Sequence, residues 1–194
     1  MLMTQRQALE VLAQHRGERF VVTTMSATGI WPQLSDTPLD FNYLPSAMGQ
    51  GPTLGLGLAL AQPQRGAIVV NGDGCMLMSL GSLVTLADHP ANVFVVVMDN
   101  SLYEVTGGQA HAGAGHVDYA SMASAVGIPG VYTFDTLAGW QQGAQAALAG
   151  PGPALIWLKV EGRLGQSTPK AARTMAEQIA RLRAACGFVP TGRD

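Results

Sequence analysis

Residues 67–75 read Ala-Ile-Val-Val-Asn-Gly-Asp-Gly-Cys, and residues 93–103 read Val-Phe-Val-Val-Val-Met-Asp-Asn-Ser-Leu-Tyr. Each begins as an unbroken apolar run and ends abruptly in small polar residues. A β-branched run without polar alternation is the pattern of a strand buried on both faces, as in parallel sheets covered by helices. Between the two runs, Met76–Asp88 places Met76, Leu77, Leu80, Leu83, Val84 and Ala87 at helical spacing and predicts one helix. The alternation continues outward. Helices are predicted at Thr4–His15, Thr53–Ala61, Asp118–Val126, Leu137–Leu148 and Thr168–Ala185, and strands at Arg19–Thr24, Gly130–Phe134 and Ala154–Val160. This order argues for an α/β fold, three layers αβα around a mostly parallel sheet of about six strands, with residues 1–194 forming one domain. Such sheets bind ligands beyond the carboxyl ends of their strands, which directs attention to the segments after Thr24, Asn71 and Met98.

Composition narrows the function. Charged residues make up 12% of the 194 and the net charge is −2, against roughly 25% charged in an average soluble domain. No basic stripe suits nucleic acid, and no apolar run approaches the ~18 residues of a membrane span. The first twenty residues lack the pattern of a secretory signal. Cys75 and Cys186 make neither a disulfide framework nor a paired-cysteine metal site. A cytoplasmic protein is expected. Low charge beside 24 glycines suggests a surface covered by partner chains and backbone that approaches a ligand closely.

The two strand ends carry the chemistry. Gly72 and Gly74 flank Asp73, so backbone amides can approach a ligand without a Cβ in the way, and the following helix start offers unpaired N–H groups to an anion. Asp73 supplies a hard anionic oxygen and Asn100 a neutral one. Two oxygens from adjacent strand ends, completed by phosphate oxygens and water, suit Mg²⁺. The plainer alternative is a tight turn in which Asp73 caps the next helix. Cys75 is either a thiol acidified by a helix N-terminus or a small buried filler.

This Gly-Asp-Gly…Asp-Asn arrangement resembles the thiamine diphosphate motif of thiamine diphosphate-dependent enzymes, which implies their cofactor-binding fold. The resemblance implies that Asp73, the Asn100 amide oxygen and the Leu102 carbonyl hold Mg²⁺, that the Gly74 and Cys75 amides touch the diphosphate, and that Gly72 and Tyr103 also belong to the cofactor site. Asp99 stands where the family has a first Asn, and Cys75 where Ser or Ala is commoner. Ser46-Ala47-Met48-Gly49 resembles a second family segment. There Met48 would wedge beneath the bent cofactor, next to Gly49, and the Ser46 carbonyl would accept from the aminopyrimidine; a flexible core filler is the bland alternative for Met48.

Tyr103-Glu104-Val105-Thr106-Gly107-Gly108-Gln109 resembles a segment of sulfopyruvate and phosphonopyruvate decarboxylases, although Ala110-His111 replaces their usual Pro-Thr. The likeness runs from about Thr4 to about Ala185 and matches only the diphosphate-binding half of such enzymes. It implies decarboxylation of a 2-oxo acid to an aldehyde. It further implies a separate pyrimidine-binding (α-type) subunit carrying the activating glutamate, since Glu10, Glu18, Glu104, Glu161 and Glu177 match no pyrimidine-domain motif. The chain alone would then be inactive, and self-association is also expected. Residues Glu104–Gly115 would act as a lid. Gln109, His111 and Glu104 are candidate catalytic or substrate contacts, as is His116, with an exposed loop residue the commoner reading for both histidines. Arg163 and Lys170 are candidate anion contacts. Rival readings are an acetolactate synthase- or benzoylformate decarboxylase-like subunit and a non-catalytic cofactor-binding module. A 2-oxoacid:ferredoxin oxidoreductase β subunit is disfavoured by the two cysteines.

Overall fold

The computed structural model describes residues 2–45, 48–165 and 169–187. In chain order the elements are α1 (Gln5–His15), β1 (Phe20–Thr23), α2 (Ala27–Ile30), β2 (Asp40–Asn42), α3 (Gly51–Ala61), β3 (Ala67–Gly72), α4 (Asp73–Met78), α5 (Gly81–Asp88) and β4 (Val93–Asp99). They continue with β5 (Leu102–Tyr103), β6 (Gln109–Ala110), α6 (Tyr119–Ala125), β7 (Gly130–Phe134), α7 (Leu137–Ala149), β8 (Ala154–Lys159) and α8 (Met175–Ala185). Six strands form one sheet in the order β2-β1-β3-β4-β8-β7, with every pairing parallel, and β5–β6 make a separate antiparallel hairpin.

The unbroken apolar runs are buried on both faces, as their composition requires. Ile68 and Val70 of β3, with Phe94 and Val96 of β4, pack on one face against Leu9 and Leu12 of α1 and Trp140 of α7. The alternate residues Val69, Val93, Val95 and Val97 pack on the other face beneath Leu56 of α3, Leu83 of α5 and Ala123 of α6. Two helical layers therefore enclose the sheet. α3 lies close on β3 because Gly55 has no Cβ; one added there would overlap the Val69 side chain.

Three expectations change. The single helix over Met76–Asp88 is two, because Ser79 leaves helical geometry (φ −148°, ψ 49°) and the turn is closed by Ser82 Oγ donating to the Ser79 carbonyl at 2.7 Å. Apolar spacing persists across that break because both helices cover the same side of the sheet. The last helix begins at Met175 rather than Thr168, which lies outside the described residues; Thr174 and Glu177 form a reciprocal capping box that starts it there. Strand β2 escaped notice because three residues are too few to show a period. It is held from outside: buried Asp40 accepts from Trp31 Nε1 and Ser35 Oγ and pairs with Arg16, and the Asn42 N–H donates to Gln178 Oε1 at 2.7 Å.

Among the described residues no helix is long and apolar enough to cross a membrane. The outer sides of α3, α4 and α5 keep Leu60, Met78 and Val84 more than half exposed, at 55%, 56% and 56%.

Candidate cofactor and cation site

Because the sheet is parallel, the ends of β1, β3 and β4 open on one edge, and a cleft of about 490 Å³ lies there. Thr24 to Ala27 line it from β1, Asn71 to Cys75 from β3, and Met98, Asn100 and the segment 102–106 from β4. The parallel register sets Gly72 opposite Met98, which brings the Gly-Asp-Gly turn level with the Asp-Asn turn.

Asp73 opens α4 and is 2% exposed. Its Oδ1 accepts the Gly74 N–H at 2.7 Å, and its Oδ2 accepts the Ser101 N–H at 2.6 Å. Ser101 adopts a left-handed φ of 61°. Burial raises the Asp73 carboxyl to about 6, and the neighbouring Asp99 adds to the rise. Ligand atoms of Asp73, Asp99 and His111 lie within 4.8 Å of one another. Asp99 is fixed by Trp157 Nε1, which donates to its Oδ2 at 2.9 Å, and Tyr119 donates its hydroxyl to the Asp73 carbonyl at 3.1 Å.

The structure sorts the expected site residues. Met48, Gly72, Asp73, Gly74, Cys75, Asn100, Leu102, Tyr103 and Glu104 all line the cleft. Ser46 lies outside the described residues. Gly49 is buried; a Cβ on it would come within 2.7 Å of Ser79 Cβ. The Gly74 N–H donates to its own Asp73 neighbour, and Asn100 Oδ1 accepts the Leu102 N–H at 3.0 Å. Cys75 is a buried free thiol whose pKa is raised by burial, which favours the small filler over an acidified nucleophile.

Glu104 is 5% exposed, and its carboxylate is occupied by scaffold donors. Gln5 Nε2 and Ser26 Oγ donate to Oε2 at 2.8 and 2.6 Å, and the Arg163 N–H donates to Oε1 at 2.7 Å. Gln109 is exposed on β6, and His116, Arg163 and Lys170 are exposed as well. His111 overturns the reading as an exposed loop residue: it is 5% exposed, with Nε2 3.1 Å from Asp73 Oδ2. The segment expected as a lid is a hairpin, with Tyr103 paired to Gln109. Tyr119 and Trp157 are not among the expected site residues, and Asp99, expected only as the residue in place of the family's first Asn, adjoins Asp73. Asp99 was legible as an acid ending a strand beside Asn100; the other two reach the site only through the fold.

The residues fit a diphosphate and its cation. Asp73 lines a cleft whose described lining contains no Lys or Arg, and Asp99 adjoins it from behind that lining, so a divalent cation would suit the site as countercharge to a diphosphate. A Cβ on Gly72 would meet nothing within 4 Å, which leaves backbone open beside Asp73.

This is a doubly covered parallel α/β fold with an acidic site at its carboxyl edge. Residues 23–158 match the family described as thiamine pyrophosphate enzyme, C-terminal TPP binding domain, and the chain belongs to that family. It is 40% identical over 153 residues to a phosphonopyruvate decarboxylase of Streptomyces viridochromogenes, covering 77% of this chain and 38% of the relative. It is 36% identical over 129 residues to a sulfopyruvate decarboxylase subunit beta of Methanothermobacter thermautotrophicus, covering 66% of this chain and 65% of the relative. A benzoylformate decarboxylase structure from Polynucleobacter necessarius shares the fold, with a TM-score of 0.70 at 19% identity over 86% of this chain and 34% of that one. The chain thus spans less than two thirds of each of these relatives.

Proposed function

We propose that this chain is the diphosphate- and Mg²⁺-binding subunit of a thiamine diphosphate-dependent 2-oxo acid decarboxylase, completed by a separate pyrimidine-binding subunit. The observation that carries the reading is the convergence of Asp73, Asn100 and Leu102 on one cleft at adjoining strand ends. Asp73, the Asn100 amide oxygen and the Leu102 carbonyl would hold the cation, with the backbone of Gly72, Gly74 and Cys75 beside the diphosphate. Met48 would support the bent cofactor from below. Bound thiamine diphosphate supplies the electron sink for loss of CO₂. Leu102 and Tyr103 of β5 line the cleft beside Asn100, and the β5–β6 hairpin would shield that side of the bound cofactor from water.

Residues 1–194 are read as one such domain, and the two free cysteines are in keeping with a cytoplasmic location. The β-subunit name of the Methanothermobacter relative supports a partner chain, and the exposed Leu60, Met78 and Val84 are in keeping with association. With no basic residue in the described cleft lining, recognition of a sulfonate or phosphonate group falls largely to that partner.

The test has two arms. Calorimetry with thiamine diphosphate should show Mg²⁺-dependent binding that Asp73→Ala abolishes; unchanged affinity in that variant sinks the cation assignment. Mixed with its pyrimidine-binding partner, the chain should decarboxylate sulfopyruvate or phosphonopyruvate. Full activity of the chain alone would contradict the split-subunit reading.

A further inference from the structure

His111 Nδ1 lies 2.9 Å from the Ala112 carbonyl oxygen, which only accepts, so Nδ1 carries the hydrogen of the neutral ring. Nε2 then presents a lone pair. It points at Asp73 Oδ2, 3.1 Å away, which is an acceptor as well. Asp99 stands beside them, and ligand atoms of the three residues lie within 4.8 Å of one another. Three acceptors thus converge with no donor between them, and the His111 side chain that aims into the group is only 1% exposed.

The surroundings supply neutral donors and no cation. Asp73 takes the Gly74 and Ser101 N–H groups, and Asp99 takes the Ser101 N–H at 3.1 Å and the Trp157 indole. Among the described residues no Lys or Arg forms an ion pair with either carboxylate. Lys159 lies instead over the Trp157 ring, 4.5 Å from its centroid. Adjoining carboxylates held away from water without a countercharge are costly.

A divalent ion among the three groups turns each repulsive contact into a bond and cancels both negative charges. A ring N–H given to a backbone carbonyl, with the other nitrogen left bare, is how a metal-ligating histidine is held. An ion bonded at roughly 2.0–2.2 Å sets its ligand atoms about 3–4.4 Å apart, close to the spacing here. Imidazole with carboxylates suits zinc and its first-row neighbours, whereas Mg²⁺ takes oxygen ligands. Asp99 and His111 do not line the cleft, while Asn100 and Leu102 do.

We propose that Asp73, Asp99 and His111 form a second cation site, set behind the cleft, that takes a divalent first-row transition ion of the zinc class. Asp73 belongs to both sites. The ion clamps the ends of β3 and β4 to the residue that follows β6, and it needs no phosphate oxygen. The inference goes beyond the cofactor reading and does not depend on it.

The experiment uses the untagged chain, stripped of metal by a chelator and free of thiamine diphosphate. Co²⁺ is titrated and followed by its visible absorption, and Mn²⁺ is examined by pulsed electron paramagnetic resonance. One equivalent of Co²⁺ should bind, excess Mg²⁺ should not displace it, and Mn²⁺ should show a directly coordinated imidazole nitrogen. Loss of an outer partner already costs roughly 10–100-fold in metal affinity, so loss of the ligand in His111→Ala should cost at least about tenfold and remove the nitrogen signal. Circular dichroism checks that the variant is folded. If it is not, Asp99→Asn carries the test: it keeps the imidazole and should weaken Co²⁺ binding by a similar factor. Absence of the nitrogen signal in wild type overturns the proposal, as does unchanged Co²⁺ affinity in a folded variant. In the first case His111 is an imidazolium paired with Asp73 and no metal is involved. Metal binding only together with thiamine diphosphate, without nitrogen coordination, overturns the proposal and leaves the cofactor reading standing. A nitrogen-coordinated ion in a chain that binds no thiamine diphosphate does the reverse.

Discussion

Gly74 lies beneath the ring of Tyr103, so closely that a Cβ on Gly74 would overlap the ring edge at Cδ1 and Cε1. The turn after β3 and the turn after β4 are thus in direct contact, and Tyr103 in turn packs against His111. Gly74→Ala should push the tyrosine away and strain the junction by about 1–3 kcal/mol, the usual cost of overpacking. Thiamine diphosphate affinity should fall, as measured by calorimetry, while Gly81→Ala, where an added Cβ meets nothing within 4 Å, should leave it unchanged.

Glu104 ties three distant segments together. Its carboxylate collects donors from Gln5, Ser26 and the Arg163 backbone. Glu104→Gln removes an acceptor and places an amide N–H against a donor, so unfolding in urea should show a loss of about 1–3 kcal/mol. If stability is unchanged and only activity with the partner falls, Glu104 belongs to the chemistry instead.

The start of α8 should loosen in acid. Hydrogen bonds from Arg173 and Arg181 hold the Asp36 carboxyl below its ordinary range, and Thr174 does the same for Glu177. A carboxyl with a depressed folded-state pKa stabilises above its unfolded pKa, and that contribution disappears as pH falls through the folded value. The window therefore lies below the ordinary carboxyl pKa of about 4. Asp36 is about half exposed, so its pairs contribute at most about 1 kcal/mol. Protection factors of the α8 amides, corrected for intrinsic exchange, should fall below that pH, and Asp36→Asn should bring part of that loss to neutral pH.

Association should depend on the apolar strip over α3 and α5. Val84→Glu places a charge on a side chain that is 56% exposed, so folding should be unaffected. An unpaired charge in a buried interface is costly, and the dissociation constant seen by analytical ultercentrifugation should rise by roughly tenfold or more, which is about 1.4 kcal/mol. An unchanged sedimentation profile would remove this face from the interface.

The amino-acid sequence by itself determined the layered α/β class and the place of the site. The runs at Ala67–Asn71 and Val93–Met98 are too apolar to have a wet face, and the Gly-Asp-Gly and Asp-Asn turns follow them directly. Hydrophobic spacing is a local property, so strands β3, β4, β7 and β8 were legible within a residue or two. The same locality concealed the break at Ser79, because both helices bury the same side, and it concealed β2, whose support comes from Arg16 and Gln178. Only the tertiary structure decided the charged neighbourhood of Asp73. Asp99 is brought alongside by the parallel register of β3 and β4, and His111 by a two-residue hairpin with no period of its own. The hydroxyl of Tyr119 and the indole of Trp157 arrive from elements 46 and 58 residues away from the groups they hold. Which side chains share a proton, a cation or a carboxylate is set by distances of a few ångströms, and those exist only once the chain has folded.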